Sequence, residues 1–175
     1  MADEIRIAVS ACLLGEQVRH DGGHKRDDFV ADVLSQFARL IPVCPEVEIG
    51  LGTPREPIHL RRDGDELRLV GVESGRDVTD AMNGYARRKL DELAALDLSG
   101  YVLKKRSPSC GLDPVAVHAS DGSIVGSEPG LFARALRSRL PDLPVEEEDR
   151  LADPRLREAF LERVFAYHRR GRSPS

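Results

Sequence analysis

Short apolar runs alternate with amphipathic segments along the whole chain. Strands are predicted where apolar residues are contiguous or alternate, at residues 5–9, 41–43, 67–72, 100–103 and 115–118. Helices are predicted where apolar residues recur every three or four positions, at residues 27–40, 79–96, 131–140 and 154–168. This alternation predicts an α/β protein with a single domain, a mostly parallel sheet and helices on both faces of that sheet.

Several local features make these predictions more specific. The predicted buried face of the first helix consists of four residues: Phe29, Val33, Phe37 and Leu40. The segment 45–57 is rich in glycine and proline and is predicted to be an irregular loop. Thr79 and Asp153 are predicted N-caps of the second and last helices. We expect residues 1–168 to form the domain and 169–175 a flexible tail.

The composition excludes several classes of protein. The chain has 175 residues, of which 41% are hydrophobic, as in ordinary soluble globular proteins. Its net charge of −4 gives no overall basic footprint for bulk nucleic-acid binding. No segment approaches the roughly 20 apolar residues of a membrane span, so no membrane partner is expected. An acidic N-terminus and an odd number of cysteines, three, predict a cytoplasmic protein with free thiols. The sequence gives no indication of the oligomeric state.

Each of the three cysteines follows a predicted strand. Cys12 comes after the first strand, Cys44 ends the second apolar run, and Cys110 lies beyond residues 100–103. Loops at the carboxyl ends of parallel strands converge on one crevice, so we expect the three thiols to meet there. The alternative is that each cysteine only fills space in the core.

Three thiols without a close pair are an unusual set of metal ligands. Structural zinc generally takes four ligands delivered in close pairs, whereas 31 and 65 residues separate these cysteines. An iron–sulfur cluster on three cysteines, with one iron left open, fits better. Two alternatives remain: a zinc hydrolase with three cysteine ligands, and a non-catalytic iron–sulfur sensor or electron carrier.

Two residues beside the cysteines are candidates for proton transfer. Glu46 follows Cys44 by two positions and is a candidate general acid or base, unless it is an ordinary surface glutamate. Ser107 precedes Cys110 by three positions, where a turn would bring its hydroxyl over the site. Alternatively, this hydroxyl only bonds the backbone of its own turn.

The same loops contain candidates for substrate binding. Adjacent glycines let backbone amides approach a ligand closely, and cations near the thiolates would attract a phosphorylated substrate. The candidate substrate-binding residues are Ser10, Gly22, Gly23, Lys25, Arg55 and Lys104.

Six short motifs resemble those of the TudS-type thiouracil desulfidase family, over about residues 5–168. They are Ser10-Ala11-Cys12-Leu13-Leu14-Gly15, Arg19-His20-Asp21-Gly22, Cys44-Pro45-Glu46, Thr53-Pro54-Arg55, Asp77-Val78-Thr79 and Ser107-Pro108-Ser109-Cys110-Gly111. The resemblance implies a 4Fe–4S cluster held by three protein ligands, Cys12, Cys44 and Cys110, with one open iron.

The resemblance also implies a reaction. Sulfur is removed from a thiolated uracil compound without redox chemistry, giving the uracil compound and sulfide. The open iron would polarise the thiocarbonyl group, water activated near Glu46 would attack its carbon, and Ser107 would position the base or move a proton.

The segment 112–140 is similar to the first domain of two-domain relatives, whose implied substrate is 4-thiouridine in tRNA. Because this chain stops where the second domain would begin, we expect a thiolated base, nucleoside or nucleotide rather than tRNA.

Overall fold

A computed structural model describes residues 4–171 of the chain. The strands of this part are β1 (Arg6–Ser10), β2 (Arg39–Val43), β3 (Ile58–Asp63), β4 (Glu66–Gly71), β5 (Gly100–Leu103), β6 (Val115–His118), β7 (Ile124–Glu128) and β8 (Val145–Glu147). Its α-helices are α1 (Pro45–Glu48), α2 (Thr79–Ala95), α3 (Leu131–Arg139) and α4 (Pro154–Arg170). Short 3₁₀ or π turns cover Ala11–Leu14, Phe29–Val33, Leu34–Gln36 and Arg150–Ala152.

A parallel sheet with strand order β2-β1-β5-β8 forms the centre of the molecule. Strands β1 and β5 lie inside this sheet and are covered on both faces, which explains their nearly continuous apolar sequences. Ala8 and Tyr101 pack on the side of α2 and α3, whereas Ile7 and Val102 pack on the side of α4 and the 29–36 turns. The predicted α/β fold with a parallel sheet and helices on both faces is therefore confirmed.

A second sheet, with order β4-β3-β6-β7, was not predicted. In this sheet β3 pairs antiparallel with β4 and parallel with β6, and β6 pairs antiparallel with β7. Strand β3 escaped prediction because it is largely charged and fully buries only Leu60. Strand β7 lies at the edge of the sheet, where Ile124 is 68% exposed. Strand β8 of the central sheet is only three residues long.

The helix predicted over 27–40 is wrong in both extent and orientation. Residues 29–33 form a π turn and 34–36 a 3₁₀ turn, and Leu40 already belongs to β2. The buried side keeps the four-residue spacing of the predicted stripe but is shifted by one position along these π and 3₁₀ turns. Val30 and Leu34 are the residues that are fully buried, whereas Val33 and Phe37 are 43% and 39% exposed.

The segment 45–57 is not entirely irregular, because its first turn is α1. Pro45 at the start of this helix lacks the N–H that a first helical residue would leave unpaired, so the position favours it. This one turn of helix carries Glu46 directly after Cys44.

Of the two predicted N-caps, Asp153 is confirmed and Thr79 is not. Asp153 caps α4, since its side chain accepts a hydrogen bond from the backbone of Arg155. Thr79 is instead the first residue of α2, and its hydroxyl accepts a hydrogen bond from the Leu69 amide at 2.8 Å, which ties α2 to β4. Helix α4 extends to Arg170, two residues into the predicted tail, and residues 172–175 lie outside the described part.

Candidate active site

The three cysteines lie at the same edge of the central sheet. Strands β2, β1 and β5 are neighbours and parallel, so their carboxyl ends lie side by side. Cys12 occupies the turn after β1, Cys44 comes directly after β2, and Cys110 lies on the loop after β5. All three line one cavity of about 600 Å³, so the predicted convergence is observed.

Burial dominates the acid–base properties of the thiols. It raises the pKa of Cys12 to about 11, although Lys104 and Arg19 act in the opposite direction. Burial also raises the pKa values of Cys44 and Cys110 above the ordinary thiol value. Thiolates in such a place need the positive charge of a bound metal, since metal binding to thiols displaces their protons.

The donor set and the space both fit an iron–sulfur cofactor. Three sulfur donors are the soft ligands that iron–sulfur clusters take. The cavity falls in the range of small-molecule sites, roughly 300–1,000 Å³, and so has room for more than one ion. Among residues 4–171, no group of three or more His, Cys, Asp or Glu residues is arranged to hold a single metal ion.

Glu46 is held in the cavity wall by two neighbouring side chains. Its Oε1 accepts hydrogen bonds from Nε and Nη2 of Arg55 at 3.1 and 3.0 Å. Its Oε2 accepts one from the Ser109 hydroxyl at 3.1 Å. The side chains of Glu46 and Arg55 are only 16% and 7% exposed, so this is a largely buried ion pair. Glu46 is therefore not an ordinary surface glutamate.

Ser107 lines the cavity and also organises its own turn. Its hydroxyl oxygen accepts hydrogen bonds from the amides of Ser109 and Cys110 at 3.1 and 3.0 Å. The hydroxyl therefore bonds the backbone of its own turn, and because the two amides occupy its lone pairs its O–H is left to donate elsewhere. Ser107 is a hydrogen-bond donor facing the cavity.

Two predicted substrate contacts, Arg55 and Lys104, are already bonded to the protein. Besides Glu46, Arg55 donates from Nη1 to the carbonyl of Gly52 at 2.8 Å. The ammonium group of Lys104 donates to Glu148 Oε1 at 2.8 Å. Both residues line the cavity, but neither is a free cation, which is a correction to the sequence-based expectation.

Ser10 is buried between the other loops. It is 3% exposed, and its oxygen accepts a hydrogen bond from the Lys104 amide at 3.0 Å. Its hydroxyl also interacts with the sulfur of Cys110, an interaction that lowers the pKa of that thiol against the larger effect of burial. Ser10 therefore belongs to the support of Cys110 more than to a substrate contact.

The amides of the glycine loop donate to acceptors within the loop itself. The amide of Gly22 donates to the carbonyl of Arg19 at 2.8 Å, and that of Gly23 to Asp21 at 2.8 Å. Neither glycine lines the cavity, so these amides are not directed at a ligand there. Instead, the positive φ of Gly22 (81°) lets the loop turn back and place Lys25 in the cavity wall.

Three cations around the cavity form no ion pair in the described part of the chain, although Arg19 is near enough to Asp21 to help lower the pKa of that carboxyl. The side chains of Arg19, Lys25 and Arg106 make no ion pair or hydrogen bond within residues 4–171. Only Lys25 was among the predicted substrate contacts. Arg106 has a left-handed backbone (φ 61°), which is rare outside glycine.

The site also contains Ser109, which sequence reasoning did not single out although it stands inside the Ser-Pro-Ser-Cys motif. Its partner Glu46 is 63 residues away in the sequence, so no local pattern indicated the contact.

Comparisons with known proteins show the family of the chain. The family model described as 2-thiouracil desulfurase matches residues 7–148. This chain belongs to the 2-thiouracil desulfurase family. A solved structure described as the [4Fe-4S]-dependent thiouracil desulfidase TudS has 35% sequence identity and a TM-score of 0.71, covering 89% of this chain and 97% of its own. A protein of Bacillus subtilis (strain 168), called uncharacterized protein YbbK, is 33% identical over 110 residues, which are 60% of this chain and 72% of that protein.

Desulfuration of thiouracil is thus the activity that both family and fold support, and it implies a small thiolated pyrimidine as substrate. In the part of the chain that is described, no helix combines the length and apolar character needed to cross a membrane.

Proposed function

We propose that the protein is an iron–sulfur-dependent desulfidase that hydrolyses thiolated uracil compounds to the uracil compound and sulfide. One observation carries this proposal. Three thiols from three parallel-strand ends, a buried carboxylate and a donating hydroxyl line the same cavity.

Cys12, Cys44 and Cys110 would hold a 4Fe–4S cluster. The supporting facts are their sulfur donors, the size of the cavity and the cofactor dependence of the similar solved protein. Once bound, such a cluster supplies an iron without a protein ligand, whose Lewis acidity polarises a thiocarbonyl group.

Glu46 is the group that takes the proton of the attacking water. Its Oε1 already accepts two hydrogen bonds from Arg55, whereas its Oε2 accepts only that of Ser109 and so keeps a lone pair for the proton. Ser107 donates its hydroxyl hydrogen to an acceptor of the pyrimidine and so fixes the orientation of the ring.

The substrate class follows from the charges around the cavity. Arg19, Lys25 and Arg106 provide unpaired positive charge, which suits a phosphate group on the sugar of a thiolated nucleotide. A free thiolated base lacks that group and would leave these cations unused. We therefore propose a nucleoside monophosphate of 4-thiouracil or 2-thiouracil as a better substrate than the base.

The test begins with anaerobically purified protein. Iron and acid-labile sulfide should be present together with the visible absorption of an iron–sulfur cluster, and each Cys→Ser variant of the three should lose that absorption. A protein that binds zinc and no iron, or that needs an electron donor for turnover, would contradict the proposal.

The second part of the test uses Glu46→Gln and Ser107→Ala. Both should retain the cluster absorption, while sulfide release from 4-thiouridine monophosphate falls about 10²- to 10⁴-fold for Glu46→Gln, as for loss of a proton-transfer group. Glu73→Gln, at an exposed position away from the cavity, is the matched control and should match the parent. If Glu46→Gln keeps its cluster and turns over within about threefold of the parent, Glu46 is not the base.

A further inference from the structure

Ser109 lies between the candidate base and the loop that carries Cys110. It is completely buried, and its hydroxyl donates to Glu46 Oε2 at 3.1 Å. Ser107, Pro108 and Cys110 line the cavity, whereas Ser109 does not. Any effect of its hydroxyl on chemistry in the cavity therefore has to act through another residue.

We propose that Ser109 is a positioning residue that sets the orientation of the Glu46 carboxylate for the reaction. This inference rests on the proposed function. Its physical basis is that Arg55 alone does not fix the carboxylate.

Both guanidinium donors of Arg55 that reach Glu46 converge on the same oxygen, Oε1. The more constraining arrangement would be one donor on each carboxylate oxygen. With both on Oε1, the carboxylate can rotate about that oxygen and move Oε2. The Ser109 hydroxyl supplies the missing second anchor.

The helix that carries Glu46 adds little rigidity of its own. Helix α1 is a single turn of four residues, and a glutamate side chain loses considerable rotamer freedom when it is fixed. The position of Oε2 consequently depends on groups outside α1.

The backbone of Ser109, in contrast, is fixed on two sides. Its amide donates to the Ser107 hydroxyl at 3.1 Å, and its carbonyl accepts from the Ala133 amide of α3 at 3.0 Å. Gly130 packs so closely that a Cβ there would lie 2.5 Å from the carbonyl carbon of Ser109. The hydroxyl is thus presented to Glu46 from a rigid position, as catalytic orientation requires.

Ser109→Ala removes the anchor without adding volume to this packed region. We expect kcat for sulfide release to fall about 10- to 100-fold, the cost typical of a misplaced catalytic group. KM should stay within about twofold, because Ser109 does not line the cavity and a change confined to the chemical step affects kcat. Cluster absorption should equal that of the parent. Ser35→Ala, whose exposed hydroxyl bonds only the carbonyl of Ala31, is the matched control.

The decisive measurement is a double-mutant cycle with Glu46→Gln. If Ser109 acts through Glu46, Ser109→Ala costs about tenfold or more in kcat in the parent and less than about twofold in the Glu46→Gln background. Equal losses in both backgrounds, or a Ser109→Ala enzyme as fast as an active parent, would overturn the inference. A parent without desulfidase activity would instead overturn the proposed function.

A second cycle needs no turnover. Urea unfolding of the anaerobically purified parent, Ser109→Ala, Glu46→Ala and the double variant should be non-additive, because Glu46→Ala removes the acceptor of the buried hydrogen bond that the two side chains share. Additive changes in the free energy of unfolding would show that the two residues are not coupled.

Discussion

Three consecutive glutamates, Glu146, Glu147 and Glu148, are buried at the end of β8. Glu148 accepts hydrogen bonds from the Lys104 ammonium and the Lys105 amide at 2.8 and 2.9 Å. Glu147 accepts one from the Leu112 amide at 3.0 Å. These carboxylates therefore support the loop of Cys110 on both sides of the cysteine.

Glu147 gives the protein a pH-dependent contribution to stability. Burial is the main cause that raises its pKa from 4.5 to about 7. As pH rises through this interval, the unfolded chain loses the proton before the folded protein does, so the free energy of unfolding falls. Glutamine does not titrate, so Glu147→Gln removes this decrease in the free energy of unfolding. Relative to the parent, the variant should gain on the order of 1–2 kcal/mol between about pH 5 and pH 8.

Urea unfolding of the metal-free parent and variant at the two pH values measures this difference. Glu73→Gln, an exposed change of the same kind, should show no such pH dependence. A difference between Glu147→Gln and the parent that is the same at both pH values would mean that Glu147 titrates alike in the folded and unfolded states.

At single positions, the sequence predicted the cysteines and Glu46 correctly as neighbours because each follows a strand end, which is a local property. It failed to predict that Arg55 and Lys104 are bound to other side chains. Their partners Glu46 and Glu148 are 9 and 44 residues away, and an ion pair of that separation leaves no local pattern.

Among the secondary-structure elements, the segment 29–36 shows most clearly why a helical pattern is not enough. The predicted and the observed buried sides have the same four-residue spacing, but the consecutive π and 3₁₀ turns bury Val30 and Leu34 in place of Val33 and Phe37. Strands β3 and β7 were missed because one is charged and the other is exposed at an edge. Their pairing depends on partners that are distant in sequence.

The buried side of this segment can be tested by two neighbouring substitutions. Leu34→Ala should reduce the free energy of unfolding by about 2–5 kcal/mol, since Leu34 is fully buried. Val33→Ala, at a position 43% exposed, should cost less than about 1 kcal/mol. Urea denaturation of both variants measures the two values. Equal costs, or a larger cost for Val33→Ala, would support the predicted buried side, which contains Val33, over the observed one.

The molecule as a whole has a negative net charge, whereas positively charged side chains predominate around the cavity. The chain carries −4 in total, while three unpaired cations surround the cavity. Seven Lys or Arg side chains and four Asp or Glu side chains line the cavity. A cleft in which one sign of charge predominates attracts ligands of the other sign even on a protein of unfavourable net charge. Composition alone could not reveal this, because it depends on which cations are paired.

We expect kcat/KM for 4-thiouridine monophosphate to exceed kcat/KM for 4-thiouracil at low salt. The ratio of the two values should shrink as salt is added, because the screening length falls from about 10 Å at 0.1 M to about 3 Å at 1 M. Arg106→Ala should lower the ratio at low salt. Arg87→Ala, on the exposed face of α2, should leave it unchanged. A ratio near one at low salt would mean that these cations are ordinary solvated side chains.

The loops of the cavity are held together mainly by oxygen and nitrogen atoms. Arg55 donates its backbone amide to the carbonyl of His20 at 2.7 Å and its guanidinium to Glu46, while Ser109 joins α1 to the loop of Cys110. Because none of these contacts uses a thiol, they do not depend on a bound group, and we expect the loops to keep this arrangement without one. If the proposed cluster is present, its loss and reinsertion would then be exchange reactions of a folded protein.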